Sequence, residues 1–184
     1  EACPVIRTNS GDIYGIHVYN NDRLYKVNRT DGTLTLVGDA GGQLVLGVAY
    51  DPVDDRIYGV GRLNSSPADP KYLLEIDRLT GQMTELGPGI TGINSVSEIT
   101  FDRVNRRVIA HNNDVMFAFE PDGTPSIVSD LPDGTVSTWT LTYAGGQYVY
   151  GGLGTVNRDK IFSLDIVTGA TVAILTLSED APME

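Results

Sequence analysis

Basic residues are scarce in this chain. Its 184 residues hold 13 Lys and Arg against 24 Asp and Glu, a formal net charge of −11. Nucleic-acid binding needs a basic footprint to neutralise phosphates, and anionic membrane surfaces attract basic clusters. Both partner classes are therefore excluded. Cysteine is nearly absent: Cys3 stands alone, so neither an intramolecular disulfide nor a cysteine-built zinc site can form. A buried unreactive thiol and an intermolecular disulfide through Cys3 remain as readings, and Glu1 and Ala2 before it argue against lipidation. No apolar run approaches the roughly 20 residues that span a bilayer, so membrane insertion is not expected. No window shows convincing helical periodicity.

Catalytic signatures are also missing. There is no Gly-x-Ser-x-Gly, and neither histidine, His17 nor His111, sits in a Ser-His-Asp context. Two histidines without cysteine partners fall short of the three or four convergent ligands a zinc site uses. The run Gly151-Gly-Leu-Gly154 is followed by neither Lys-Ser/Thr nor a helix pattern, so it reads as a strand-end turn rather than a phosphate cradle.

What is abundant is repetition. The stretch Val48-Ala-Tyr-Asp-Pro-Val-Asp-Asp-Arg-Ile-Tyr-Gly-Val60 reads as strand, tight turn, strand. Asp and Pro favour the reversal, and apolar–polar alternation marks the flanks. Related strands recur at Ile13-Tyr-Gly-Ile16, Val108-Ile-Ala-His111 and Val149-Tyr-Gly-Gly152. Each is followed by a strand closing on Asn28, Asp77, Glu120 or Asp165 and then by a glycine turn at Gly32, Gly81, Gly123 or Gly169. The spacing is about 45 residues, the length of one four-stranded propeller blade. The second copy predicts strands at 46–50, 56–60, 72–77 and 82–86. Overlaying residues 6–13 on 50–57 without a gap supplies the first copy with a first strand at 4–7. The expectation is an all-β propeller, one domain over residues 1–184, with four blades at about 1–43, 44–91, 92–134 and 135–184.

The pattern strand, Asp-Pro turn, Ile-Tyr-Gly-Val, then Leu-x-x-Ile-Asp-x-x-Thr-Gly resembles the blade repeat of secreted and surface-layer propellers of the YVTN/NHL-like kind. The resemblance implies that the first strand of each repeat lines a central channel and the fourth forms the outer rim. It is specific for architecture and not for activity, because propellers host many functions. Such propellers usually carry six or seven blades, whereas four repeats are visible here. A compact four-bladed ring, a fragment, and blades completed between chains are all compatible with this count.

Calcium-dependent propeller hydrolases place Glu, Asn and Asp at channel positions. By that resemblance Glu98 and Asn94 are the metal candidates, and a calcium-dependent hydrolase or lyase at the channel mouth is the rival function. The equivalent positions Leu46 and Thr138 are not acidic, which leaves few of the six to eight oxygens calcium takes. Asp51, Asp54 and Asp55 lack EF-hand spacing and read as turn chemistry. Recurring aromatics suit packing between blades. Trp139, Tyr143 and Tyr50 are the candidates for sugar or peptide contact, and a carbohydrate-binding propeller is a third reading. Asn28-Arg-Thr and Asn64-Ser-Ser are glycosylation sequons. These sequons and a start at Glu1 rather than Met suggest a processed, secreted or surface-displayed protein.

The reading that follows is a non-enzymatic extracellular binding or structural module with no resident cofactor, calcium aside. Loops on a rigid scaffold are where recognition sits, here residues 20–23, 62–71, 90–95, 112–114 and 153–159. Partners are a protein or glycan ligand, or self-association if the first and last strands fail to meet within one chain.

Overall fold

The structure is a computed structural model. It describes residues 5–17, 23–39, 44–62, 69–93, 96, 98–112, 115–130, 138–144, 147–152, 160–165, 168 and 170–176. Among the described residues sixteen strands form four antiparallel sheets, each built from one continuous segment and ordered as in sequence. Blade 1 holds β1 (Val5–Arg7), β2 (Ile13–His17), β3 (Arg23–Val27) and β4 (Leu34–Asp39). Blade 2 holds β5 (Leu44–Asp51), β6 (Arg56–Arg62), β7 (Lys71–Ile76) and β8 (Met83–Ile90). Blade 3 holds β9 (Glu98–Asp102), β10 (Arg107–His111), β11 (Val115–Phe119) and β12 (Pro125–Asp130). Blade 4 holds β13 (Thr138–Ala144), β14 (Gln147–Gly152), β15 (Lys160–Leu164) and β16 (Thr171–Thr176). This is the all-β propeller architecture expected from the repeat.

The blades pack face to face in chain order. β1 lies beside β5, β5 beside β9, and β9 beside β13. Side chains alternate across each sheet, so every blade offers one apolar face to the blade before it and one to the blade after. Val48, Ile57, Leu74 and Ile76 of blade 2 meet Tyr14, Ile16 and Leu24 of blade 1. Tyr58, Val60 and Leu73, on the other face, meet Ile99, Phe101, Val108 and Phe117 of blade 3. Ile109, Met116 and Ala118 then meet Tyr148 and Leu164 of blade 4. Tyr58 and Phe101 stack across the second seam, with centroids 6.2 Å apart and planes 11° from parallel. Burying one such side chain contributes about 1.5–3 kcal/mol, so the seams hold the blades together.

Glycine makes a second contact at the rim. Gly38 on β4 lies against the backbone of Thr80 and Gly81 in the next blade, and Gly87 on β8 against Gly123. Gly81 and Gly123 also take positive φ, 74° and 85°, which L side chains rarely adopt. At these positions two backbones touch and no side chain fits between them.

The register corrects the sequence overlay in two places. Ile57 pairs with Tyr50, but Ile13 pairs with Arg7 rather than Ile6. In blade 4, Tyr148 rather than Val149 occupies the Ile57 position, because Tyr148 pairs with Leu164 as Ile57 pairs with Ile76. A period-two element slipped by one residue changes face. The repeat signature located the strands but not this phase, because turn length differs between copies. β1 is the inner edge of blade 1 and β16 the outer edge of blade 4, so they are not neighbours across a seam. Among the described residues β1 and β13 do not pack as the other adjacent first strands do.

Candidate functional site

Each blade has two ends. One carries the β1–β2 and β3–β4 types of connection, hereafter the turn face. The other carries the β2–β3 type and the crossovers between blades, hereafter the loop face.

On the turn face the acids are consumed locally. Asp51 is fully buried. Its Oδ1 accepts the Val53 and Asp54 N–H groups at 2.8 and 3.3 Å. Its Oδ2 takes Arg106 of blade 3 at 3.0 Å, and that guanidinium also reaches Asp54 at 2.7 Å. Asp102 repeats the design one blade on, accepting from Val104, Asn105 and the Asn105 amide at 3.0, 3.1 and 2.7 Å. Burial alone would raise the Asp102 pKa, but the Tyr148 side chain of blade 4 and the hydrogen bonds from Asn105 and Val104 hold it below the ordinary value. The Asp51–Asp54–Asp55 group is therefore turn and seam chemistry. Asp55 and Arg106, at matching turn positions, both have φ of 57°. The β3–β4 turns use the same device: Asp77 Oδ1 accepts Leu79 N–H at 2.7 Å, and Asn28 Oδ1 accepts Thr30 N–H at 2.9 Å. Asn28 is exposed, so its sequon sits on a reachable but internally bonded turn.

Tyr50 lies in the wall of the central cavity, yet its hydroxyl is engaged. It accepts the Asn9 N–H of blade 1 at 2.9 Å and donates to Asp55 at 2.6 Å. Burial first, then the Asp55 bond, raises its pKa. Trp139 and Tyr143 are on β13, with Trp139 at a register shift between Thr138 and Thr140. Their side chains lie outside the described residues, as do Cys3, Asn64 and Asn94.

The central cavity, of about 270 Å³, is lined by first strands of all four blades, including Ile6, Tyr50, Glu98, Thr100 and Thr142. This agrees with the first-strand lining that the resemblance implies. Glu98 opens β9 at the loop-face end. Its Oε1 accepts the Ile99 N–H at 3.3 Å, and burial raises its pKa. Across the strand pair stands His111. His111 is buried, its Nδ1 lies 3.0 Å from Asn112 O, and burial lowers its pKa. Both groups are thus biased toward their neutral forms. Among the described residues no three of His, Cys, Asp and Glu gather as a metal would require. His17 ends β2 in blade 1, opposite Arg23; His17 and His111 thus sit on non-adjacent blades.

Sequence reasoning passed over Lys71, which opens β7 on the loop face. It is fully buried, and its Nζ donates to Asp69 O at 2.5 Å. Burial, then the charge of Arg62, lowers its pKa. A lysine at the start of an alternating strand carries no mark of this burial in the sequence pattern. Gly38 and Gly87 were legible in principle, since each stands six residues beyond a turn glycine, Gly32 or Gly81.

No protein-family model matches the chain, and no curated protein matches it. Solved structures do match. A structure of a nidogen/laminin complex aligns at 15% identity and TM-score 0.63, over 90% of this chain and 61% of that one. An auxiliary nutrient binding protein from Bacteroides ovatus aligns at 14% identity and TM-score 0.62, over 92% of this chain and 46% of that one. The WD40 β-propeller domain of Doa1 aligns at 12% identity and TM-score 0.52, over 92% and 66% respectively. The chain spans under two thirds of the length of each. At these identities the likeness is one of fold, the β-propeller.

Proposed function

We propose that this chain is an extracellular, non-enzymatic binding module whose loop face recognises a protein or glycan. The observation that carries the reading is the contrast in connections. On the turn face the β3–β4-type connections, residues 28–33, 77–82, 120–124 and 165–170, are five or six residues each. On the loop face the β2–β3-type connections, 18–22, 63–70, 112–114 and 153–159, run from three to eight. The β1–β2-type turns, 8–12, 52–55, 103–106 and 145–146, are two to five residues, so the two longest connections within blades, 63–70 and 153–159, both belong to the loop face, and loops on a rigid scaffold are where recognition sits. The neighbours support the reading to the extent of their names, one a complex with laminin and one a nutrient binding protein. No helix of the described residues is long and apolar enough to cross a membrane.

The test is binding of the purified chain to arrays of glycans and extracellular-matrix proteins. Specific binding lost when 63–70 and 153–159 are replaced by Gly-Ser linkers, and kept when 28–33 is replaced, is the expected result. Binding to neither array, or binding indifferent to the loop replacements, refutes the proposal.

A further inference from the structure

In blade 2 a single carboxylate gathers two side chains on the turn face. Asp55 Oδ1 accepts the Tyr50 hydroxyl at 2.6 Å and an Arg78 N–H at 2.8 Å, and the second Arg78 nitrogen lies 2.5 Å from Oδ2. The repeat puts the same three positions in blade 1. Ile13 pairs with Arg7 and Val27 as Ile57 pairs with Tyr50 and Ile76, so Arg7 stands for Tyr50. Two residues before that isoleucine, Gly11 stands for Asp55, and both have positive φ, 82° and 57°. Arg29 stands for Arg78, each following the residue, Asn28 or Asp77, whose side chain caps the β3–β4-type turn. Blade 1 thus keeps the arginine, has a second arginine in place of the tyrosine, and carries glycine where blade 2 has its carboxylate.

The two guanidiniums converge on that glycine. A Cβ built on Gly11 would lie 3.1 Å from Arg29 Nη1 and 3.9 Å from Arg7 Nη2. Like charges repel at such range. Among the described residues neither arginine side chain makes an ion pair or a hydrogen bond. The acids close by are engaged: Asp12 holds Lys26 at 2.8 Å, and Asp31 Oδ1 accepts the Thr33 N–H and hydroxyl at 2.9 and 2.8 Å. Two cations drawn together without a carboxylate stand out in a chain of net charge −11. Arg29 also borders an open recess of about 350 Å³, whose lining includes Lys26, Asn28, Thr30 and Thr35.

We propose that Arg7 and Arg29 form a binding site for a carboxylate, seated over Gly11 as the Asp55 carboxylate is seated between Tyr50 and Arg78. Arginine recognises a carboxylate through paired N–H donors, and blade 2 makes that geometry at this position of the repeat. The site does not depend on what packs behind blade 1. Blade 2 has blade 1 behind it, yet its Asp55 and Arg78 side chains stay 42% and 35% exposed. What blade 1 contributes to that cluster is the Asn9 N–H on the Tyr50 hydroxyl, a donor and not an acid. The ligand class is a small polar carboxylic acid, because the recess beside Arg29 offers ammonium, amide and hydroxyl groups to the rest of the molecule. This site is on the turn face, goes beyond the loop-face reading and does not depend on it.

The experiment titrates the 184-residue chain with sodium acetate, against sodium chloride at matched ionic strength, and follows the NMR signals of the arginine Nε–H groups. Saturable shifts at Arg7 and Arg29 with acetate but not with chloride are expected, while Arg78, already paired with Asp55, stays unmoved. Arg7→Gln and Arg29→Gln should each weaken acetate binding about tenfold. Gly11→Asp supplies the carboxylate from within the chain, at a φ that Asp tolerates and that Asp55 adopts. It should abolish the acetate response and raise the melting temperature above that of Gly11→Asn, which matches it in size without the charge. Acetate shifts no different from those of chloride overturn the proposal, as does an acetate response that survives in Gly11→Asp. So does acetate insensitivity in a chain that Arg29→Gln destabilises, the sign of an acid of the chain itself seated between the arginines. Replacing 28–33 removes Arg29 and should abolish acetate binding, whereas the loop-face binding is expected to survive that change, so the two proposals fail separately.

Discussion

The two rims of the blades are built from the same sheets by opposite means. On the turn face, Asp51, Asp102, Asp77 and Asn28 each spend a side-chain oxygen on the N–H groups of their own turn. Arg106 then ties one blade to the next. On the loop face the buried polar residues, among those described, are Lys71, His111 and Asn112, with Glu98 half-buried beside the cavity. Of these, Lys71, His111 and Glu98 are each pushed by burial toward the neutral form. Hydrogen bonds to backbone donors favour a carboxylate, whereas desolvation by burial disfavours any ion. One rim therefore gains stability from its charges and the other keeps titratable groups whose charge is costly.

The sharpest way to break the turn rim is steric. Gly123→Val forces a side chain into the Leu86–Gly87 backbone at positive φ, and the expected loss is about 3 kcal/mol. Gly32→Ala, at positive φ but with nothing within 4 Å, should lose only about 1 kcal/mol. Equal losses in urea unfolding would mean that the inter-blade contact carries no weight. Next in size, Asp102→Ala removes a buried acceptor from two N–H groups and should cost about 2 kcal/mol; Asp102→Asn should cost less. Because the folded pKa of Asp102 is depressed, its stabilisation is present above the unfolded value and is lost as pH falls through the folded one. The Asp102→Ala penalty should therefore shrink in acid.

The loop rim predicts weaker effects that depend on pH. His111 has a lowered folded pKa, so below about pH 6.5 the unfolded chain takes a proton that the folded chain refuses. Stability should fall there by up to about 1.4 kcal/mol per pH unit, and His111→Phe should flatten the slope. Glu98 acts in the opposite sense. Its folded pKa is raised, so it loses stability as pH rises from the unfolded value, and Glu98→Gln should stabilise the chain at pH 7 by about 1 kcal/mol. If instead Glu98→Gln destabilises at pH 7, the carboxylate has a partner and the neutral-rim picture fails. The smallest expected effect is that of calcium. With Glu98 biased toward its acid form, millimolar calcium should move the melting temperature by less than about 1 °C, measured with wild type and Glu98→Gln side by side. A larger, Glu98-dependent shift would restore the metal-site reading.

Strand location, blade count and the turn role of the Asp51 group were legible in the sequence. They rest on local physics: period-two alternation, Asp-Pro reversal and glycine at positive φ act within a few residues. The phase of blades 1 and 4 was not legible, since it depends on turn lengths that differ between copies. Glu98 was legible as a channel-mouth acid, but not the burial that biases it toward the neutral form, nor the engagement of the Tyr50 hydroxyl by Asn9 of another blade.

The amino-acid sequence by itself determined that this chain makes four β-blades, lacks the basic footprint of a nucleic-acid binder and closes one rim with acid-capped turns. Each follows from composition or from contacts short in sequence. Only the tertiary structure decided which residues face which blade, that Gly38 and Gly87 seat a neighbouring turn, and that Lys71 and His111 are buried. Those outcomes depend on groups brought together from separate repeats, and near-identical repeats carry no local record of which neighbour they meet.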